Sequence, residues 1–151
     1  YNINIIKSYK PDIIVSISGN QIFKSKLINI PSKGCINLHT ALLPKYRGLM
    51  PTFWVLLNNE KYTGVSVFFM DEGIDSGPII IQKKIKIETN IQRELIILTK
   101  KIGMDAIVEA IIKIRDGKVK IKENPKEKMS YYSFPKRSDV INFYNSGKKF
   151  F

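Results

Sequence analysis

Residues 34–48 read Gly34-Cys35-Ile36-Asn37-Leu38-His39-Thr40-Ala41-Leu42-Leu43-Pro44-Lys45-Tyr46-Arg47-Gly48. The run 34–38 is short, largely apolar and opens on a glycine, which predicts a strand. Pro44 fixes its own φ and pushes Leu43 toward extended backbone, so a turned loop follows rather than a helix. Strand positions two apart point the same way, which puts Asn37 and His39 on one face.

The same reading extends outward. Pro11-Asp12 closes a short helical stretch and opens Ile13-Ile14-Val15-Ser16-Ile17-Ser18, a β-branched run expected to be a buried, parallel strand. Gly19-Asn20 ends it as a turn. Residues 21–29 are expected to form a short helix with Ile22, Phe23, Leu27 and Ile28 inward. Downstream, Pro51 can start a helix that continues over residues 53–58. Residues 64–70, 79–81 and 84–88 read as strand, and the glycine-punctuated stretch 71–78 between them as a tight loop. Thr89 and Gln92 have the spacing of a capping box. The apolar periodicity from Ile91 to Ile114 predicts a long amphipathic helix that Gly117 ends. Strands alternating with helices indicate an α/β layered domain, and ligands in such sheets bind beyond the carboxyl ends of the strands. Asn20, Asn37–His39 and residues 71–75 all follow or end strand candidates, so they are expected to converge at one edge.

The chain has 151 residues, enough for one core, and 25 basic against 13 acidic side chains, a net charge of +12. That balance favours anionic partners. The lysines are spread along the chain rather than clustered in a stripe, so charge alone does not indicate nucleic acid. No apolar run approaches the ~20 residues that would cross a bilayer. The single cysteine, Cys35, rules out an internal disulfide, fits a reducing, cytoplasmic setting and is expected to pack as a small core residue. Tyr1-Asn2-Ile3-Asn4 has neither a signal-peptide pattern nor an initiating Met, so the chain is expected to be a fragment.

His39 is the sole histidine. A histidine exchanges protons near neutral pH, a carboxamide such as that of Asn37 donates to a developing oxyanion, and a carboxylate orients the imidazole. Asp75 is the natural carboxylate, with Asp71 and Glu72 competing on composition. No metal-ligand set is expected. Such a trio suits acyl transfer without a covalent enzyme intermediate.

Residues 34–48, with Asn-x-His, Leu-Leu-Pro and then Tyr-Arg-Gly, strongly resemble the active-site segment of the formyl-tetrahydrofolate-dependent transferases. Asp71-Glu72-Gly73-Ile74-Asp75-Ser76-Gly77-Pro78 and the apolar strand after it resemble that family's second motif, and 36 positions separate His39 from Asp75. The resemblance implies a Rossmann-like, three-layer α/β formyltransferase domain with 10-formyltetrahydrofolate as formyl donor. Asn37 would hold the formyl oxygen. His39 would manage protons, and Asp75 would support His39 and a water or the incoming amine. The folate pocket would involve Asn20, Gln21, Ile22, Phe23, Met70, Asp71, Glu72 and Gly73, and Lys45 and Arg47 are candidates for an acceptor phosphate.

Departures from the family pattern are Thr40-Ala41 where serines are usual, Phe68 where some members carry histidine, and an apparent lack of the strands that normally precede residue 13. Residues 1–120 would then be the C-terminal half of the catalytic domain, and residues 121–151 a basic, aromatic tail packing on it. The tail, with Tyr131, Tyr132 and Phe134, and Met50-Pro51-Thr52-Phe53-Trp54 resemble sugar-modifying members. The expected acceptor is therefore the amine of a nucleotide-linked amino sugar. Methionyl-tRNA and glycinamide ribonucleotide are the alternatives, as is a folate-binding relic without turnover. A homodimer is one assembly the resemblance allows.

Overall fold

The computed structural model describes every residue except Tyr1 and Asn20. The elements follow in the order α1 (Ile3–Ser8), β1 (Ile14–Ile17), α2 (Ser25–Ile28), β2 (Cys35–His39), β3 (Arg47–Gly48), α3 (Pro51–Leu57), β4 (Tyr62–Phe69), β5 (Ile79–Lys86), α4 (Gln92–Arg115), β6 (Tyr131–Tyr132) and α5 (Arg137–Asn145). The main sheet runs β1-β2-β4-β5. β1 and β2 are parallel, joined through α2, and the other two neighbours pair antiparallel. A two-stranded parallel ribbon joins β3 to β6.

Alternation along β2 decides where each layer lies. Ile36 and Leu38 face α4 and pack with Val65, Val67, Ala106 and Ile107. The odd positions, Cys35, Asn37 and His39, point the other way. Cys35 lies there against Phe23 and Leu27, with Ile6 of α1 beside them. Helices thus cover both faces, and the α1–α2 side leaves room for a site at the end of β2. Close approach of α4 depends on Gly103, where an added Cβ would stand 2.6 Å from Leu38 Cδ2. No helix among the described residues is long and apolar enough to cross a membrane.

Three local expectations are corrected. Residues 21–24 are not helical and α2 starts only at Ser25, whose amide donates to Glu72 Oε1 at 3.0 Å. Ile22 is therefore exposed rather than inward. The capping box at Thr89 and Gln92 does not form. Gln92 is buried, its Nε2 donating to Thr52 Oγ1 at 3.3 Å, and the Gln92 and Arg93 amides donate instead to the carbonyls of Lys149 and Phe150. β1 is an edge strand, with Ile17 exposed, rather than a strand buried on both faces. At the other end of α4, Gly117 at φ +66° closes a Schellman turn, as Gly117 N–H donates to Ile114 O and Lys118 N–H to Lys113 O.

The chain after α4 returns over the domain. Tyr132 stacks on Tyr46 and on Trp54, at centroid distances of 5.2 and 4.7 Å, and Trp54 Nε1 donates to Ser133 O. Phe143 is fully buried between Phe53 and Phe150.

Cys35 is also buried, and desolvation pushes its thiol from 9.0 up to about 11. Between about pH 9 and 11 the unfolded chain loses this proton while the folded chain keeps it, so stability falls as pH rises through that window. Denaturant unfolding across these pH values checks this: Cys35→Ala is expected to lose less stability than the parent, and equal losses would rule the thiol out as the cause.

Candidate active site

Register builds one row of the site. Ser16 pairs with Asn37, and Asn37 with Phe68, so these three side chains stand side by side on the face opposite α4. The next row pairs His39 with Ser66. Ser66 then pins the loop that leaves β2: its Oγ donates to Ala41 O at 2.7 Å and accepts from Leu43 N–H at 3.1 Å. Gln82 Nε2 adds bonds to Leu43 O and Ser66 Oγ.

The pinned loop brings the Tyr46 carbonyl within 2.6 Å of His39 Nε2. A carbonyl only accepts, so Nε2 carries a proton there. Nδ1 is left facing Asp75 Oδ2 at 3.5 Å. That carboxylate oxygen also accepts from Gly48 N–H at 2.8 Å. Asp75 has φ +48°, a left-handed conformation that persists only where surrounding contacts hold it. Two glycines make the approach possible. A Cβ on Gly48, at φ +96°, would lie 2.2 Å from Tyr132 O, and one on Gly77 would lie 1.8 Å from Phe69 O.

Asn37 and Asp75 border a cavity of about 360 Å³. His39 is 5% exposed and sits behind Asp75 rather than on the cavity wall. Asn37 Oδ1 is buried and has no hydrogen-bond partner among the described residues. An orphaned amide oxygen at a cavity wall is what a ligand donor would satisfy.

Of the residues expected to hold folate, Gln21, Ile22, Phe23, Met70, Asp71 and Gly73 line this cavity. Asn20 lies outside the described residues. Glu72 does not line it. Its carboxylate accepts the Ser25 amide, which holds it below the usual carboxylate range. Asp71 ties the loop internally, accepting from Gly73 N–H and Ser76 Oγ.

The candidates for an acceptor phosphate separate. Lys45 is exposed and apart from the cavity wall. Arg47 is corrected from a surface cation to a buried tie, 4% exposed, whose Nη2 donates to Asn124 O at 2.9 Å and to Asn124 Oδ1 at 2.8 Å. Sequence reading missed Ser16, Leu49 and Ile74 on the wall, and had noted Phe68, Tyr131 and Phe134 for other reasons. Period-two spacing could have found Ser16 only with the β1–β2 register known.

Residues 2–111 match the formyl transferase family. The methionyl-tRNA formyltransferase of Thermodesulfovibrio yellowstonii is 40% identical over 150 residues, covering 97% of this chain and 48% of that protein. Among solved structures, WlaRD, a sugar 3N-formyl transferase in the presence of dTDP and 5-N-formyl-THF, is 30% identical with a TM-score of 0.74, over 89% of this chain and 48% of its own. The formyltransferase PseJ from Anoxybacillus kamchatkensis, in complex with UDP-4,6-dideoxy-4-formamido-L-AltNAc and tetrahydrofolate, is 26% identical with a TM-score of 0.75, over 86% of this chain and 68% of its own. The chain spans about half the length of the curated relatives it matches.

Proposed function

The chain belongs to the formyl transferase family, and we propose that it moves a formyl group from 10-formyltetrahydrofolate to the primary amine of an acceptor with an anionic backbone. The observation that carries this reading is the Asn37 and Asp75 pair on one cavity wall with His39 behind it. The cavity suits a flat, polar-edged heterocycle. Ile22, Phe68 and Met70 offer apolar surface, and the orphaned Asn37 amide offers a polar contact.

When bound, the donor would supply an electrophilic formyl carbon; the acceptor nitrogen would add to it, and collapse of the adduct would break the bond to the folate nitrogen, which takes up the proton that the amine gives. Asn37 lines the cavity, where its Nδ2 N–H can donate to the formyl oxygen in a bond that strengthens as negative charge gathers there, leaving Oδ1 to accept from another ligand group. The attacking amine must shed a proton, and the Asp75 carboxylate with His39 Nδ1 behind it forms the receiving pair. The Nε2 bond to Tyr46 O keeps Nδ1 turned toward Asp75 throughout.

For the acceptor, the first reading is methionyl-tRNA. It is supported by 40% identity that extends over 97% of the chain. The second reading is a nucleotide-linked amino sugar, supported by the likeness to WlaRD and by the exposed aromatic rim of Tyr131 and Phe134 at the cavity.

The test incubates the chain with 10-formyltetrahydrofolate and, separately, methionyl-tRNA, a dTDP-linked amino sugar and glycinamide ribonucleotide, following tetrahydrofolate release and product mass. Formyl-methionyl-tRNA is the expected product. Product from the sugar alone would replace the first reading with the second. Folate binding without turnover on any acceptor would overturn both and leave a folate-binding relic.

A further inference from the structure

Asn124 lies well outside the motifs that carry the chemistry, yet its side chain is wired into them. Its Nδ2 donates to Asp75 O at 2.8 Å and to Gly77 O at 2.9 Å. Its Oδ1 and its own carbonyl both accept from Arg47 Nη2. Arg47 is buried, directly precedes the Gly48 amide that holds the Asp75 carboxylate, and follows the Tyr46 carbonyl that holds His39. One carboxamide therefore joins the two loops whose separation sets the distance from His39 to Asp75. Its own position is set by a bridge two residues earlier, where Ile79 and Lys122 exchange both backbone bonds at the start of β5.

We propose that Asn124 is a positioning residue, holding the left-handed Asp75 loop against the Tyr46–Gly48 segment so that the carboxylate stays aimed at His39 Nδ1. Its role in turnover rests on the formyl-transfer reading above. Its role in geometry does not. The division of labour is chemical. The carboxamide oxygen serves Arg47, and the carboxamide N–H pair serves Asp75 and Gly77. An aspartate at this position keeps the first function, adding charge pairing to Arg47, and loses the second by setting carboxylate oxygens against two carbonyls.

The experiment uses the 151-residue chain with Asn124→Asp and Asn124→Ala. Thermal unfolding, steady-state kinetics with 10-formyltetrahydrofolate and methionyl-tRNA, and the ring-nitrogen NMR signals of His39 are measured side by side. Because His39 is the sole histidine, those signals need no assignment. Asn124→Asp is expected to stay folded, to lose about tenfold or more in kcat with KM for the folate changed less than about twofold, and to shift the His39 Nδ1 signal. Asn124→Ala is expected to do the same with a lower Tm. A folded variant with parental kcat and parental His39 signals overturns the proposal. Loss of folding in both variants also overturns it, since Asn124 then serves the fold alone. If the parent chain turns over no acceptor, the formyl-transfer reading fails, while the shift or constancy of the His39 signals still decides the positioning role.

Discussion

On the formyl-transfer reading proposed above, replacing His39 with alanine is expected to lower kcat by about a hundredfold to ten-thousandfold, the usual range for losing a positioned acid–base group. The imidazole belongs to the sole histidine of the chain, and it stands 3.5 Å from the Asp75 carboxylate at the cavity wall. Its removal also leaves the Tyr46 carbonyl without its partner in a buried place, at a cost of about 1–3 kcal/mol to the fold. Kinetics and thermal unfolding therefore have to be read together. Asp75→Asn separates the two effects. An asparagine oxygen can still accept the Gly48 amide, so the loop keeps that bond, while the negative charge beside Nδ1 is gone. Its kcat is expected to fall by a similar factor with little change in Tm. The folate KM should change little in either variant, because the apolar lining is untouched. Stopped-flow or quenched single-turnover measurement at saturating folate is the direct check. If His39→Ala stays folded and keeps more than about a tenth of the parental rate, proton transfer does not run through this residue.

Features that depend on local pattern are legible in the amino-acid order alone. The alternation in 34–39 puts Asn37 and His39 on one face, the Val- and Phe-rich run at 64–70 falls on β4, and the two runs at 79–81 and 84–88 fall on the single strand β5, which ends at Lys86. The α/β class follows from such runs, and the Rossmann-like character from the motif resemblance alone. Features set by partners distant in sequence are not legible in this way. The helix expected from residue 21 starts four residues later because Glu72, 47 positions away, accepts the Ser25 amide. The capping box at Thr89 fails because Gln92 is drawn inward to Thr52 and the chain end caps α4 instead.

Arg47 shows the same limit in chemical form. An arginine between Tyr and Gly in a polar loop reads as a surface cation available to a phosphate. Its burial follows from Asn124 and Met129, which lie 77 and 82 positions downstream. Burying a guanidinium is costly without acceptors, so the Asn124 oxygens decide where it goes. The Ser16–Asn37–Phe68 row is likewise a product of register: Ser16 belongs to no motif, and only pairing sets it beside Asn37 and Phe68 as a wall.

The second large effect concerns the tail. We propose that residues 121–151 are part of the same folding unit as the motif-bearing core, and Phe143→Ala is the substitution that reports on it. Phe143 is fully buried, stacked on Phe53 at 4.6 Å and tilted against Phe150 at 5.1 Å. Removing a buried ring of this kind costs about 3–5 kcal/mol, since the cavity left behind adds to the lost transfer energy. For a chain of this size that corresponds to a fall in Tm of about 10 °C, at roughly 2–4 °C per kcal/mol. The loss should appear as one cooperative transition. Phe53 belongs to α3, and the Lys149 and Phe150 carbonyls cap α4, so loosening Phe143 releases contacts on both sides of the domain at once. Activity at low temperature should survive in part, because Tyr132 and the β3–β6 pairing still hold the segment beside Gly48. Calorimetry of the parent and Phe143→Ala decides it. A second, separate transition, or a Tm within about 2 °C of the parent, would mean that the tail folds as an independent appendage.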